Sequence, residues 1–167
     1  CAVTLVDCTI SDNTSSDYGG GFFNQEGCLL VLTRCIVSGN RGDYGGGMFF
    51  MNGCSPRLTD CVIRENVAVR GGGVFNAGLG YDVGTVGVFE RCLFEGNEAS
   101  EWGGALANGH LCDSTFVNSV FHDNRAPRAA GAYIGSSGSP TFINCTFAHN
   151  RASVQAGVAA AVASWAP

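Results

Sequence analysis

The sequence contains no lysine, few charges and no long apolar segment. All nine basic residues among the 167 are arginine, and charged residues make up only 14% of the chain. The net charge of −5 excludes the broad positive surface that binding to nucleic acid requires. Glycine and polar residues interrupt every apolar stretch well before the roughly 20 residues that a membrane-spanning helix needs. We therefore expect neither nucleic acid as a partner nor a segment that spans a membrane.

Glycine and apolar residues are abundant instead. Glycine accounts for 25 residues, roughly twice its usual share, and hydrophobic residues account for 46% of the chain. A chain this apolar can bury enough surface to fold. Its length corresponds to about one domain, so we expect residues 1–167 to form a single domain.

A short motif, Cys-x-x-x-x-Asn, recurs through the whole chain. Its asparagines are spaced 27, 26, 31, 27 and 26 residues apart, and in one copy Ser119 replaces the cysteine. The six asparagines are Asn13, Asn40, Asn66, Asn97, Asn124 and Asn150. A glycine-rich triplet follows each asparagine, clearest at Gly19–Gly21 and decayed towards alanine at Ala129–Gly131 and Ala156–Val158. Two motifs that stay in phase over six copies indicate a structural repeat of about 26–27 residues.

Two columns of the repeat are apolar in every copy. The first lies three residues before the cysteine position and comprises Leu5, Leu32, Leu58, Phe89, Phe116 and Phe142. The second lies two residues after it and comprises Ile10, Val37, Ile63, Phe94, Phe121 and Phe147. The surrounding apolar runs are short, which is typical of strands and not of helices. Each repeat therefore holds about three short strands, and it buries its apolar face only by stacking on its neighbours.

Stacked repeats place equivalent residues about 4.8 Å apart, the spacing of parallel strands. Like residues then form ladders, and the asparagines can link successive repeats through their side-chain amides. We expect left-handed backbone at these asparagines, and corners without room for a Cβ at the glycine triplets. The pattern predicts an all-β chain that forms a right-handed parallel β-helix solenoid of about six coils.

The repeat runs read DCTISDN…GGGFFN, RCIVSGN…GGGMFFMN, DCVIREN…GGGVFN and NCTFAHN. They resemble right-handed parallel β-helix repeats of the pectate-lyase-like superfamily. They are especially similar to the polymorphic outer-membrane-protein type repeats of bacterial surface proteins, which pair a Gly-Gly motif with an aromatic-x-x-Asn motif. Phe94–Asn97, Phe121–Asn124 and Phe147–Asn150 match the second motif directly. The resemblance implies an extracellular or cell-surface location, whereas adhesins, structural proteins and polysaccharide enzymes all share this scaffold.

Neither end of the repeat array carries an evident cap. Cys1 begins inside a coil, and residues 151–167 continue the repeat in an alanine-diluted form. Solenoids need polar terminal repeats, because bare parallel edges pair with other strands. We therefore expect an open domain that is a segment of a longer chain and that contacts further β-helix coils or another protein at its ends.

Nine cysteines occupy two columns of the repeat. One column consists of Cys8, Cys35, Cys61, Cys92 and Cys145, and the other, seven residues earlier in the repeat, of Cys1, Cys28, Cys54 and Cys112. No Cys-x-x-Cys pair occurs, so we expect no zinc or other metal site and no cofactor. Stacking brings cysteine Cα atoms within bridging distance, but parallel Cβ vectors disfavour the bridge. The favoured interpretation is a ladder of small buried thiols, with disulfide bonds as the open alternative.

A polysaccharide enzyme of this superfamily would need clustered carboxylates or a calcium site. The residues before the cysteine column run Asp7, Arg34, Asp60, Arg91, Asn118 and Asn144. Opposite charges on adjacent coils predict ion pairs that neutralise those carboxylates. Asp12, Glu65 and Asp123 precede asparagines on alternate coils, about 10 Å apart, so Glu65 and Asp123 are weak candidates for an inverting pair. The aspartate clusters of polygalacturonases and the calcium cluster of pectate lyases are missing from the sequence.

The column just before the glycine corner is aromatic and basic. Its members are Tyr18, Tyr44, Arg70, Trp102 and Arg128, and the candidate ligand-binding residues are Tyr18, Tyr44, Arg70 and Trp102 with the adjacent Asp43. Stacked rings with interleaved arginine form a strip suited to sugar rings. The competing interpretation is a structural stack over the corner, with Arg70 in cation–π contact. Extra residues near Gly78–Thr85, including Tyr81 and Asp82, point weakly to a binding face at the same coils.

These observations favour a non-catalytic structural or adhesive β-helix module of an extracellular or cell-surface protein. A polysaccharide is the partner that the aromatic strip suggests. The alternative is a polysaccharide lyase or glycoside hydrolase whose catalytic coils lie partly outside these residues.

Overall fold

A computed structural model describes residues 1–78, 83–153 and, for the backbone alone, 162–164. Tyr81 and Asp82, which were considered for a binding face, and the decayed triplet Ala156–Val158 lie outside the described residues. All described regular elements are strands, and every strand pairing is parallel. None of the described residues lies in a helix long and apolar enough to cross a membrane. The predicted all-β parallel solenoid of about six coils is confirmed.

Each coil contributes one strand to each of three sheets of six strands. The first sheet contains Ala2–Val6, Leu29–Thr33, Arg57–Thr59, Val88–Glu90, Thr115–Val117 and Thr141–Ile143. The second sheet contains Thr9–Ser11, Ile36–Ser38, Val62–Arg64, Leu93–Glu95, Val120–His122 and Thr146–Ala148. The corner sheet, which follows the glycine triplets, contains Phe22–Asn24, Met48–Met51, Val74–Ala77, Leu106–Asn108, Ala132–Ile134 and Val162–Ser164.

A fourth, shorter sheet lies between the asparagine column and the glycine corner. This groove sheet contains Val67–Arg70, Glu98–Trp102, Arg125–Ala126 and Arg151–Ala152. In the first two coils the same position carries only isolated bridges, such as Thr14 with Arg41 and Tyr18 with Tyr44. Serine, aspartate and glycine occupy most of this stretch there, and they disfavour strands. The expected three strands per coil therefore become four in the later coils.

The core is built from the two apolar columns recognised in the sequence, together with the inner side of the corner sheet. Leu32, Leu58, Val37 and Ile63 are at most 1% exposed. In the later coils phenylalanine replaces these aliphatic residues, and the rings stack from coil to coil. Centroids of equivalent rings lie 4.5–5.0 Å apart at interplanar angles of 15° or less. This distance matches the strand spacing, so parallel register and ring stacking reinforce each other.

The asparagine column forms a continuous buried ladder. The Asn40 Nδ2 group donates to Asn66 Oδ1 at 3.0 Å and to the Ile10 carbonyl at 3.0 Å. The Asn40 backbone N–H donates to the same Asn66 oxygen, and the pattern repeats from Asn66 to Asn97. Each interior amide therefore satisfies both of its N–H groups and both lone pairs of its oxygen inside the core. The expected amide links are confirmed.

The expectation of left-handed backbone at the asparagines is wrong by one residue. Positive φ occurs at the residue before each asparagine, for example 58° at Asp12, 55° at Glu65 and 61° at Gly96. A second left-handed column precedes the cysteines, as at Asp60 with φ of 56°. The asparagine itself is held by its buried hydrogen bonds, so the residue before it makes the turn. Exposed polar residues and glycine at these turns tolerate the conformation with little steric cost.

The glycine triplets make the tight corner that was predicted. The first glycine of each clear triplet has positive φ, such as 67° at Gly45. The second glycine has no space for a side chain, because a Cβ on Gly46 would lie 2.4 Å from the Val67 carbonyl oxygen. The corner therefore has no room for side chains at its second glycine.

The cysteine columns behave in two ways. Cys35, Cys61 and Cys92 are buried free thiols, as the ladder interpretation predicted. The open alternative, a disulfide bond, holds for Cys1 and Cys28, whose Cα atoms lie 4.7 Å apart. Both cysteines lie just outside strands, so the pleat does not hold their Cβ vectors parallel. One covalent link therefore joins the first two coils.

The asparagine ladder predicts a large difference between two alanine variants. Asn66→Ala removes four buried hydrogen bonds, two from Asn40, one to Asn97 and one to the Val37 carbonyl, so we expect it to lower the free energy of unfolding by about 3 kcal/mol or more. Asn13→Ala removes an exposed amide that has one side-chain bond, to Asn40, and we expect a loss of less than about 1 kcal/mol. Urea unfolding followed by circular dichroism measures both. Equal losses in the two variants would contradict a stabilising role of the buried ladder.

Candidate functional site

The predicted aromatic and basic column lies on the outside of the glycine corner. We call Tyr18, Tyr44, Arg70, Trp102 and Arg128 the outer strip. Backbone bridges connect Tyr18 with Tyr44, Tyr44 with Arg70, and Trp102 with Arg128. Trp102 also pairs with Arg70 through the groove sheet. The structure therefore aligns all five residues on successive coils.

Aromatic rings and the Arg70 guanidinium stack on one another along the outer strip. The Tyr18 and Tyr44 rings stack with centroids 5.5 Å apart. The Arg70 guanidinium lies over the next two rings, 5.5 Å from the Tyr44 centroid and 5.1 Å from the Trp102 centroid. The expected cation–π contact of Arg70 is confirmed and involves two rings. Glu101 accepts a hydrogen bond from Arg70 Nε at 2.6 Å, which fixes the guanidinium in this position.

A second aromatic column lies beside the outer strip and was missed in the sequence. It consists of Phe23, Phe49, Phe75 and Tyr133, each five residues after a member of the outer strip. Phe49 is fully buried against Tyr18, with ring centroids 4.8 Å apart. The ring centroids of Tyr133 and Trp102 lie 4.4 Å apart. The constant offset of five residues was the available signal, but these residues lie two positions after the last residue of the glycine triplet, within short apolar strands, and resemble ordinary core positions.

The two columns together decide which parts of the rings can meet a ligand. Trp102 has Arg70 over its ring, Tyr133 beside it and the edge of Phe75 against it. Tyr44 lies between Tyr18 and Arg70. Ring faces are therefore occupied by neighbours within the stack, and the half-buried rings present their edges to solvent. The rings and Arg70 thus pack on one another as a stack over the corner, and the surface left to a ligand consists of ring edges and the adjacent polar groups.

An open groove runs along the groove sheet beside the outer strip. One section, of about 470 Å³, is lined by Arg70, Ser100, Glu101, Trp102, Pro127 and Arg128. Another section shares Ser100 and Pro127 and extends past Arg125 to Arg151. A third borders Asp43 and Arg41 on the earlier coils. Of the predicted ligand-binding residues, Arg70, Trp102 and Asp43 thus line grooves on this sheet, whereas Tyr18 and Tyr44 support the stack.

The parallel stacking of the coils agrees with a known fold family. A family model described as a right handed beta helix region matches residues 1–109, which is more than half of the chain. The chain belongs to the right-handed β-helix family. This membership agrees with the resemblance to the pectate-lyase-like superfamily and establishes a β-helix domain. Comparisons with curated proteins and with solved structures gave no match.

The weak catalytic candidates of this β-helix, Glu65 and Asp123, each directly follow a strand of the second sheet. Glu65 and Asp123 precede asparagines two coils apart, about 10 Å by strand spacing, with Gly96 between them. Asp123 Oδ2 lies 3.3 Å from His122 Nδ1, and its Oδ1 lies 3.9 Å from Arg151 Nη2. Neither residue lines one of the grooves described above. Among the described residues, no group of three or more His, Cys, Asp or Glu side chains is arranged to hold a metal ion.

Two other carboxylates of the β-helix are neutralised by arginine on the next coil. Arg34 forms a two-pronged pair with Asp7 at 2.7 and 2.8 Å, and Arg91 forms one with Asp60 at 2.6 and 3.1 Å. The hydrogen bonds from these arginines lower the pKa of Asp7 and the pKa of Asp60 below their usual values. The predicted charge ladder therefore exists as two separate pairs. Carboxylates held ionised in this way are unsuited to act as general acids.

One thiol, that of Cys61, has a lowered pKa but almost no access to solvent. A hydrogen bond with Cys92 lowers the pKa of Cys61 to about 7, and the same pairing together with burial raises the pKa of Cys92. Cys61 is only 1% exposed. Because a nucleophilic thiolate must reach its substrate, this cysteine serves the core and not a reaction.

The Asp60–Arg91 pair predicts an acid-dependent loss of stability. The folded-state pKa of Asp60 lies below the ordinary value of 3.8, so its contribution is present above that pH and is lost as the pH falls through the folded pKa. We expect the free energy of unfolding to fall below pH 3.8 and to fall less in Asp60→Asn. Urea unfolding from pH 7 downwards measures the two slopes. Asp17→Asn is the control, because Asp17 is exposed and forms no ion pair among the described residues. If the free energy of unfolding fell as little in Asp17→Asn as in Asp60→Asn, the assignment to Asp60 would be contradicted.

Proposed function

We propose that this β-helix is a non-catalytic structural and adhesive module that binds carbohydrate along its groove sheet. The observation that carries the proposal is the groove bordered by Trp102, Arg70 and Glu101. It combines the edge of a fixed aromatic ring with charged and hydroxyl groups on a rigid surface. Sugar recognition uses this combination of apolar contact and directed hydrogen bonds.

The rigidity of the site supports an adhesive role. Trp102 and Arg70 project from coils whose backbones are linked by hydrogen bonds at the glycine corner, such as Gly71 N–H to the Trp102 carbonyl at 3.1 Å. Arg70 is further held by Glu101 and two rings. Little side-chain entropy remains to be lost when a ligand binds to such groups. A repeated surface of this kind also offers several contacts to one chain-like ligand.

An extracellular or cell-surface location is part of the proposal. The Cys1–Cys28 disulfide supports it, because structural disulfides persist in oxidising compartments. The strand edges of the first and last described coils support a further proposal, that β-helix coils or another protein stack there.

The carbohydrate role predicts a loss of binding in one double variant. We expect Tyr44→Ala/Trp102→Ala to reduce binding to the glycans recognised by the unaltered chain by about tenfold or more, because the variant removes ring contact and frees Arg70. A glycan and polysaccharide array measures the difference. Ile143→Ala is the matched control, since Ile143 is exposed on the first sheet, away from the strip. Glycan binding that survives in the double variant would contradict the role of the strip.

The alternative function, polysaccharide cleavage, predicts a different result. The separated and partly neutralised carboxylates lead us to expect no release of reducing ends or unsaturated products from neutral or acidic polysaccharides. Should cleavage occur, Glu65→Ala and Asp123→Ala would test the carboxylate pair, with Asp17→Ala as the control. Activity that is abolished in either variant and retained in the control would overturn the non-catalytic proposal.

A further inference from the structure

Arginine is concentrated on one face of an otherwise acidic chain. Five of the nine arginines line the grooves of the groove sheet, namely Arg41, Arg70, Arg125, Arg128 and Arg151. Three of them, Arg125, Arg128 and Arg151, lie together on the last two described coils. The net charge of −5 therefore conceals a local positive patch.

Arg125 and Arg151 place like charges on adjacent coils, unlike the opposite charges that pair at Asp7–Arg34 and Asp60–Arg91. They occupy the same register position on neighbouring strands, about 4.8 Å apart along the solenoid. Arg34 and Arg91, in contrast, each form an ion pair with a carboxylate on the adjacent coil. Like charges directly opposite each other in a sheet destabilise it. A same-sign pair at this position calls for a partner outside the chain.

The described residues supply little compensation for this pair. No carboxylate among them lies within 4.0 Å of the guanidinium of Arg125 or Arg128, and Arg151 reaches Asp123 only at 3.9 Å. Glu98 occupies the same register position as Arg125 on the preceding coil and lines the same groove section, but no oxygen of its carboxylate lies within 4.0 Å of an arginine among the described residues. Ser100 and Ser153 add hydroxyl groups to this section. The exposed Arg125 guanidinium thus has no carboxylate partner among the described residues, Arg151 has only the long contact with Asp123, and both arginines line one groove section.

We propose that the Arg125–Arg151 pair is a subsite for a tetrahedral oxyanion ester, a sulfate or a phosphate, carried on a glycan. A planar carboxylate has two oxygens, which one guanidinium fork satisfies. A sulfate or phosphate ester presents three acceptor oxygens and can therefore bridge two forks on adjacent coils. The proposal rests on the proposed function in that the ester is carried by a sugar chain, whose rings follow the groove towards Ser100, Pro127 and Trp102.

The test compares dextran sulfate, dextran phosphate, carboxymethyl-dextran of equal charge density and unsubstituted dextran by titration calorimetry at fixed ionic strength. We expect the sulfated or the phosphorylated polymer to bind, and Arg125→Gln/Arg151→Gln to weaken that binding by about tenfold or more. Arg57→Gln/Arg64→Gln removes the same charge from exposed positions on the first and second sheets and should leave binding within about twofold. Glu98→Gln should strengthen binding, because it removes the carboxylate beside Arg125.

Several results would overturn the proposal. Equal losses in both double variants would show diffuse attraction to the chain and no subsite. Equal binding of carboxymethyl-dextran would show that the tetrahedral group is not selected, and no binding of either ester would remove the site. The single variant Arg125→Gln, with circular dichroism as a check of the fold, covers the case in which the double variant does not fold. A chain that binds the ester polymer but no neutral glycan would count against the role of the outer strip and would leave the arginine pair supported.

Discussion

Register between coils is the constraint on which the whole structure depends. The backbone groups of each strand find their partners on the coils above and below, so a coil that slipped by one residue would turn its apolar columns outwards. The asparagine ladder makes that slip costly. The Asn66 side chain alone connects three coils through Asn40, Asn97 and the Val37 carbonyl, and all of these bonds lie inside the core. The stacked phenylalanines, the glycine corner and the outer strip all follow once this register is held.

Much of the fold could be predicted because a repeat shows the same physical requirement several times. One apolar residue says little, but six at the same offset can only face a core, as Leu58 and Phe94 do. The turn before each asparagine was placed one residue late because asparagine itself tolerates positive φ, although Asp12 and Gly96 in the preceding column tolerate it too. The Cys1–Cys28 bridge was disfavoured because in-register strands hold Cβ vectors parallel, whereas each of these cysteines lies just before a strand.

The candidate site was predicted in part, and the missing half changes its chemistry. The order of Tyr44, Arg70 and Trp102 was visible from their common position before the glycine corner. The neighbouring column of Phe49, Phe75 and Tyr133 was hidden, because alternation in so short a strand does not show which side faces out. Its presence covers the ring faces and leaves edges, carboxylates and arginines at the surface. Recognition at this surface therefore relies more on polar groups than a sequence rich in aromatic residues would indicate.

The asparagine ladder also gives the solenoid an electrical direction. Each side-chain carbonyl accepts hydrogen bonds from the preceding coil, so these carbonyls all point the same way along the axis. Peptide dipoles within a strand alternate and largely cancel, but these side-chain dipoles add, as the peptide dipoles of an α-helix do. The line of amides carries a dipole through the low-dielectric centre of the molecule. Two such molecules lying side by side would attract each other when they run in opposite directions and repel when they run in the same one.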